Sequence, residues 1–86
     1  MTFNAVTLLG LLAATLTTAA NVPQVCKAWR TQETRDISLA MTLILAGGLG
    51  LWVAYGVLQG DAVIILANAA GMLLALSLTA LKLRHG

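Results

Sequence analysis

Eighty-six residues, 59% of them hydrophobic and 9% charged, with a mean hydropathy of +0.90, exclude an ordinary soluble fold and leave room for one domain. The formal charge of +2 comes from five Lys and Arg against three Asp and Glu. All five basic residues lie between or after the apolar runs, so membrane topogenesis accounts for them and nucleic-acid binding has no support.

A helix of about 20 apolar residues spans the roughly 30 Å hydrocarbon core of a bilayer. Three such stretches fit, at about 4–25, 37–58 and 62–83, and together they form a single domain over 1–86. The reading is therefore an all-α membrane protein, a three-transmembrane-helix bundle. A cleaved signal peptide would have its small residues near "TTAANV". However, there is no basic n-region and the apolar run exceeds a usual h-region, so the first helix is read as uncleaved.

The first helix meets its loop through "AANVPQVCKAWR". A proline inside a helix removes one backbone hydrogen bond and crowds the preceding turn, which predicts a kink near 18–21 and a hinge at Pro23. The freed carbonyl needs a partner in lipid, available from the hydroxyls of Thr17 and Thr18 or the amide of Asn21. The alternative is that the helix simply ends at Pro23. Cys26 has no partner for an internal disulfide and is read as a small packing residue with a reduced thiol. Trp29, beside basic residues, belongs to the interfacial aromatic belt.

The first loop, "KAWRTQETRD", is about ten polar residues, with Asp36 placed to help start the second helix. In that helix "GGLG" supplies Gly47, Gly48 and Gly50; the first helix has Gly10 and Ala14 four apart, and the third has Ala67, Gly71 and Ala75. Lipid offers no hydrophobic drive for helix association, so small faces that let backbones approach are the expected packing surfaces. A tight turn around Gly60 leads to the third helix, with Asp61 as its cap. Lys82 and Arg84 follow that helix and His85 lies at its solvated end. Since Lys27, Arg30 and Arg35 share the first loop and the second loop has no basic residue, the first loop and carboxyl terminus are expected in the cytoplasm and the amino terminus outside.

Two side chains do not suit their depth. Trp52 lies eight residues before Gly60 and Asn68 eight after it. In an antiparallel pair both sit roughly 12 Å below the turn, near the membrane centre. An aromatic face beside an amide can hold a sugar, the ring covering C–H faces and the amide pairing with hydroxyls. The same two residues could instead only bind helices to one another. Tyr55, one turn above Trp52, could close such a site from outside or serve the aromatic belt. No membrane-buried Asp, Glu, Lys or His appears in the three spans, which argues against proton relays and ion-coupled pumping. No nucleophile-base pair, metal-ligand cluster or phosphate-binding loop is present, so no catalytic residue, cofactor or metal is expected.

"VPQV", the polar loop "TQETRDIS" and then "LWVAYG" followed by Asp61 and "AN" resemble the PQ-loop superfamily, most closely the bacterial SemiSWEET sugar transporters. The resemblance covers nearly the whole chain. It implies a PQ-loop repeat that dimerises around a central sugar pathway, with Pro23 and Gln24 matching the proline-glutamine hinge. It also implies Trp52 and Asn68 as substrate-binding residues and Tyr55 and Asp61 as the extracellular gate. Gln59 stands where some members carry an arginine, so closure at that face should rest on hydrogen bonds rather than a charged latch.

A dimer is expected independently of the resemblance. Three close-packed helices, each about 10 Å across, leave no hole for a solute. A pathway must then be shared between copies, and the common charge asymmetry makes them insert in the same direction. The result is a parallel homodimer forming a six-helix transporter. The expected function is facilitative uniport of a mono- or disaccharide, of the glucose or sucrose class, by alternating access in the bacterial cytoplasmic (inner) membrane, in contact with lipid. The alternatives are a PQ-loop amino-acid transporter, or a non-transporting membrane assembly or holin-like protein.

Overall fold

The computed structural model describes residues 3–85, in three helices: α1 (Ala5–Thr31), α2 (Leu39–Gln59) and α3 (Ala62–His85). All three are long and apolar enough to cross a membrane. Their side chains have the distribution expected of lipid as solvent. Buried hydrophobic residues are few, Val25, Ala46, Ala75 and Leu81, while exposed Leu lines the outer face of every helix, joined by Val on α1 and by Ile and Val on α2. The chain is an integral membrane protein.

Helix α3 is the centre of the arrangement. It packs against both α1 and α2, whereas α1 and α2 have no close backbone approach to each other among the described residues. The result is a slab, 44 × 23 × 13 Å, whose thin direction is little more than one helix diameter.

The α2–α3 hairpin follows from local chemistry. Gly60 takes a left-handed conformation (φ 67°, ψ 31°) that costs glycine nothing, and its N–H closes onto the carbonyls of Gly56 and Val57. Asp61 Oδ1 then accepts from the N–H groups of Val63 at 3.0 Å and Ile64 at 3.2 Å, capping α3 as expected. Just below the turn, at Gly56, the two helices leave no room for a side chain. A Cβ on Gly56 would stand 2.9 Å from Ile64 Cγ2 and 3.1 Å from the Ile65 backbone nitrogen. Further along, a Cβ on Gly71 would meet Leu49 Cδ1 at 3.2 Å and one on Gly50 would meet Met72 Sδ at 3.4 Å. On the other flank a Cβ on Gly10 would meet Val63 Cγ1 at 2.9 Å. Gly47 and Gly48, expected at a helix contact, have nothing within 4 Å of where a Cβ would be.

Three expectations at the first loop need correction. Helix α1 neither ends at Pro23 nor at Val25; it continues to Thr31, closed by Gln32 in a left-handed conformation whose N–H donates to Ala28 O at 2.8 Å. Stopping inside lipid would strand four carbonyls, each costing several kcal/mol, against about 3 kcal/mol for an interior proline. Continuation is the cheaper course. The loop therefore shortens to 32–38, and Lys27 and Arg30 belong to the helix. Asp36 does not start α2; Ser38 does, its Oγ accepting from the Met41 N–H at 3.2 Å. Cys26, expected as a packing residue, is exposed.

The basic end is tied together by side chains far apart in sequence. Trp29 Nε1 donates to Ser77 Oγ at 2.6 Å, linking α1 to α3. The Arg84 guanidinium lies 5.9 Å from the centroid of the Trp29 ring. Lys82 Nζ donates to the carbonyl of buried Thr34 at 2.9 Å, fastening the loop to α3. The Arg35–Glu33 pair, 3.4 Å apart, is exposed on both sides and contributes little.

Candidate functional site

Helices α1 and α3 meet near Gly10 and Val63 at one end and near Trp29 and Ser77 at the other. Between these contacts they line, with part of α2, a half-open cavity of about 510 Å³. That volume suits a small polar solute. Most of its wall is small or aliphatic: Gly10, Ala13, Ala14, Ala67 and Gly71 on the two facing helices, with Leu45 and Leu49 from α2. Its polar groups are all neutral. Thr17, Thr18, Asn21 and Gln24 come from α1, and Asn68 comes from α3.

Asn68 is half-buried, and its Nδ2 donates to the Ile64 carbonyl one turn back at 2.8 Å. That bond fixes the amide on α3 and leaves its oxygen and second N–H for another partner. Gln24 lines the same cavity, and its neighbour Pro23 is exposed within the continuous helix. Asn21, anticipated as a partner for the carbonyl freed by Pro23, donates instead to Thr17 O at 3.0 Å, two residues before the freed Ala19 carbonyl.

The hairpin contacts pair Gly56 with Ile64 and Ile65, Leu49 with Gly71, and Gly50 with Met72, a register that puts Trp52 at the level of Asn68 to Ala70. Level is not convergence, however. Trp52 is absent from the residues lining the cavity and 53% of its surface is open. Its ring stands edge-on to Tyr55, with centroids 5.5 Å apart and planes at 84°, and Tyr55 is 48% exposed. The two aromatics thus form one open face on α2, beside the cavity rather than within it. Asp61 lies at the turn with one oxygen already committed to the α3 cap. Gln59 is exposed next to it.

Sequence reasoning did not find the Trp29–Ser77 bond. The available signal was an indole N–H needing an acceptor at the membrane boundary, but nothing local singles out Ser77. Nor did it single out Gly56, four residues before the turn, where an added Cβ would meet both Ile64 and the Ile65 backbone.

The comparisons with known proteins agree over the whole bundle. A family model described as a sugar efflux transporter for intercellular exchange matches residues 4–82. A sugar transporter SemiSWEET from Bradyrhizobium diazoefficiens is 51% identical over 79 residues, covering 92% of both chains. A sugar transporter SemiSWEET from Leptospira biflexa is 40% identical over 79 residues, covering 92% of this chain and 93% of the other. Among solved structures, a bacterial homologue of SWEET transporters superposes with a TM-score of 0.87 at 38% identity, covering 96% of this chain and all of that one (100%). A SemiSWEET in the inward-open conformation superposes with a TM-score of 0.88 at 34% identity, covering 95% and 88%.

Proposed function

Since the chain belongs to the SemiSWEET family of sugar transporters, we propose that it carries a mono- or disaccharide by facilitative uniport, as a parallel homodimer working by alternating access. The observation that carries this reading is the cavity wall: amides and hydroxyls on an otherwise apolar surface, with no ionisable side chain among the lining residues. Neutral donors and acceptors match sugar hydroxyls, whereas coupling to a proton gradient calls for a titratable group in the path.

A second copy is required by shape. A slab 13 Å thick cannot surround a solute on all sides. Two slabs placed face to face enclose a pathway, and the twofold axis repeats each lining residue. In this reading Asn68 pairs with substrate hydroxyls, while the open faces of Trp52 cover the sugar from the side that one protomer leaves unbounded. Tyr55 and Asp61, toward the turn, close the outer face with hydrogen bonds, because Gln59 supplies no charge. Pro23 and Gln24 form the hinge. A missing backbone hydrogen bond softens α1 at the point where its next side chain reaches the cavity.

The charge distribution supports an orientation with the Lys27, Arg30, Arg35, Lys82 and Arg84 end in the cytoplasm and the amino terminus outside, in the bacterial cytoplasmic (inner) membrane. Uptake of labelled glucose and sucrose into proteoliposomes without an ion gradient tests the function. Saturable uptake by the wild type, lost in Trp52→Ala and Asn68→Ala while both variants still elute as dimers, is the expected result. Non-saturable leak of small ions would replace the carrier by a pore, and wild-type uptake by both variants would remove Trp52 and Asn68 from the site.

A further inference from the structure

The cavity has amides on two walls, and the reading above uses only α3's and the hinge glutamine. Asn21, on α1, repeats the geometry of Asn68. Its Nδ2 donates to the carbonyl four residues back, Thr17 O at 3.0 Å, as Asn68 Nδ2 donates to Ile64 O at 2.8 Å. Each carboxamide has two N–H donors and one acceptor oxygen, so one donor on each is held by its own helix. An acceptor and one donor remain on both. A side chain so anchored has lost much of its rotamer freedom before any ligand arrives, which lowers the cost of binding through it.

The two amides lie on different walls of one cavity. Their levels follow from the two places where α1 and α3 touch. Counted from the Gly10–Val63 contact, Asn21 lies 11 residues down and Asn68 five. From the Trp29–Ser77 bond, Asn21 lies eight residues up and Asn68 nine. At about 1.5 Å per residue, Asn21 therefore falls between about 1.5 Å and about 9 Å below the level of Asn68, toward the basic end. Thr17 and Thr18 add hydroxyls to the same wall. The arrangement can hold a polyhydroxylated ring on two sides, with Asn68 at one edge and Asn21 at another.

We propose that Asn21 is a second substrate contact, reading a sugar hydroxyl that Asn68 does not reach, and that it sets which hydroxyl pattern the carrier accepts. The proposal rests on the sugar-transport reading. A merely structural Asn21 would serve its own helix through the bond to Thr17. That role survives Asn21→Ser, because a serine hydroxyl can bond the carbonyl one turn back. A contact role does not, because the shorter side chain no longer extends into the cavity.

The test is the inhibition of labelled glucose uptake by glucose and by its monodeoxy analogues, in proteoliposomes of wild type, Asn21→Ala and Asn21→Ser. In the wild type, removing the hydroxyl that Asn21 reads should weaken inhibition by on the order of threefold to tenfold, the range for one hydrogen bond. In both variants that one penalty should collapse to about onefold while the penalties at other hydroxyls persist. If every variant that inserts keeps all wild-type ratios, or if Asn21→Ser alone restores them, Asn21 is a structural residue and the proposal is overturned. Absence of saturable wild-type uptake of any labelled sugar would instead remove the transport reading, and this inference with it.

Discussion

The two flanks of α3 are built differently. Against α2 it forms a hairpin whose turn, cap and notches succeed one another without interruption: Gly60 turns the chain, Asp61 caps the next helix, and Gly56, Gly50 and Gly71 admit side chains from the opposite helix. Against α1 it is held at two separated places, the Gly10–Val63 notch and the Trp29–Ser77 bond, with the cavity between. One flank is a continuous seam and the other a frame around an opening. A helix fixed at two points and carrying a proline between them can change its bend without sliding along its neighbour. In the transport reading, α1 moves and the hairpin serves as the rigid wall that carries Asn68 and Trp52.

The seam should be the most sensitive part of the molecule. Gly56→Val puts branched carbon against Ile64, Ile65 and the Ile65 backbone nitrogen, none of which yields without moving a helix. Its cost is expected at or above about 3 kcal/mol, the upper end of overpacking penalties. Unfolding of the detergent-solubilised protein by a denaturing detergent reads this directly. A near-wild-type midpoint would show that the hairpin is no more rigid than the α1 flank.

On that second flank the proline should have the opposite effect. Pro23→Ala restores an N–H to the middle of α1, where the Ala19 carbonyl can accept it, and removes the crowding of the preceding turn. Stability should rise, by up to about 3 kcal/mol. Turnover should fall, by about tenfold for each 1.36 kcal/mol that the stiffer helix adds to the barrier. Sugar affinity should change much less. Equilibrium binding and exchange rates measured on the same preparation separate the two effects, and an unchanged exchange rate would take the hinge away from Pro23.

Trp29→Phe probes the closure of the frame at the basic end. The ring, and its contact with the Arg84 guanidinium, are largely kept, while the bond to Ser77 Oγ is lost. A loss of about 1 kcal/mol is expected, the typical contribution of one such hydrogen bond. Ser77→Ala should cost the same, and the double variant little more than either alone. Additive losses would mean that the two residues act independently.

Much of this organisation was legible from residues alone, and the division follows the range of the interaction. The Gly60 turn, the Asp61 cap and the common level of Trp52 and Asn68 depend on nearest neighbours and on counting along a hairpin. The continuation of α1 beyond Val25 to Thr31 was not legible. The sequence offers a helix breaker, and the choice to continue depends on the penalty lipid sets on open carbonyls and on a tryptophan that meets a serine 48 positions away. Asp36 and Ser38 are both able to cap a helix, and only the path of the shortened loop selects Ser38. At the cavity, Asn68 and Gln24 come together within one chain. Trp52 is not among the residues lining it, and in the transport reading only a second copy brings it to the pathway.

Gly47→Ala is the smallest change and bears on that second copy. In one protomer nothing lies within 4 Å of the added methyl. Gly47 and Gly48 sit exposed on α2 near Ile44 and Leu51, which are 75% and 74% open. If lipid covers this face, the methyl meets fluid chains, and replacing a mid-helix glycine by alanine should stabilise the protein by about 0.5–1 kcal/mol through backbone entropy alone. If the opposite protomer covers it, the same methyl intrudes on a packed surface and should weaken the dimer. Dimer dissociation measured against detergent concentration, alongside the unfolding midpoint, gives the sign for each. A higher midpoint with an unchanged dimer places lipid against Gly47, at the edge of the same α2 face that carries Trp52 and Tyr55 one and two turns on, and confines any contact between the two slabs on this helix to the Trp52 side.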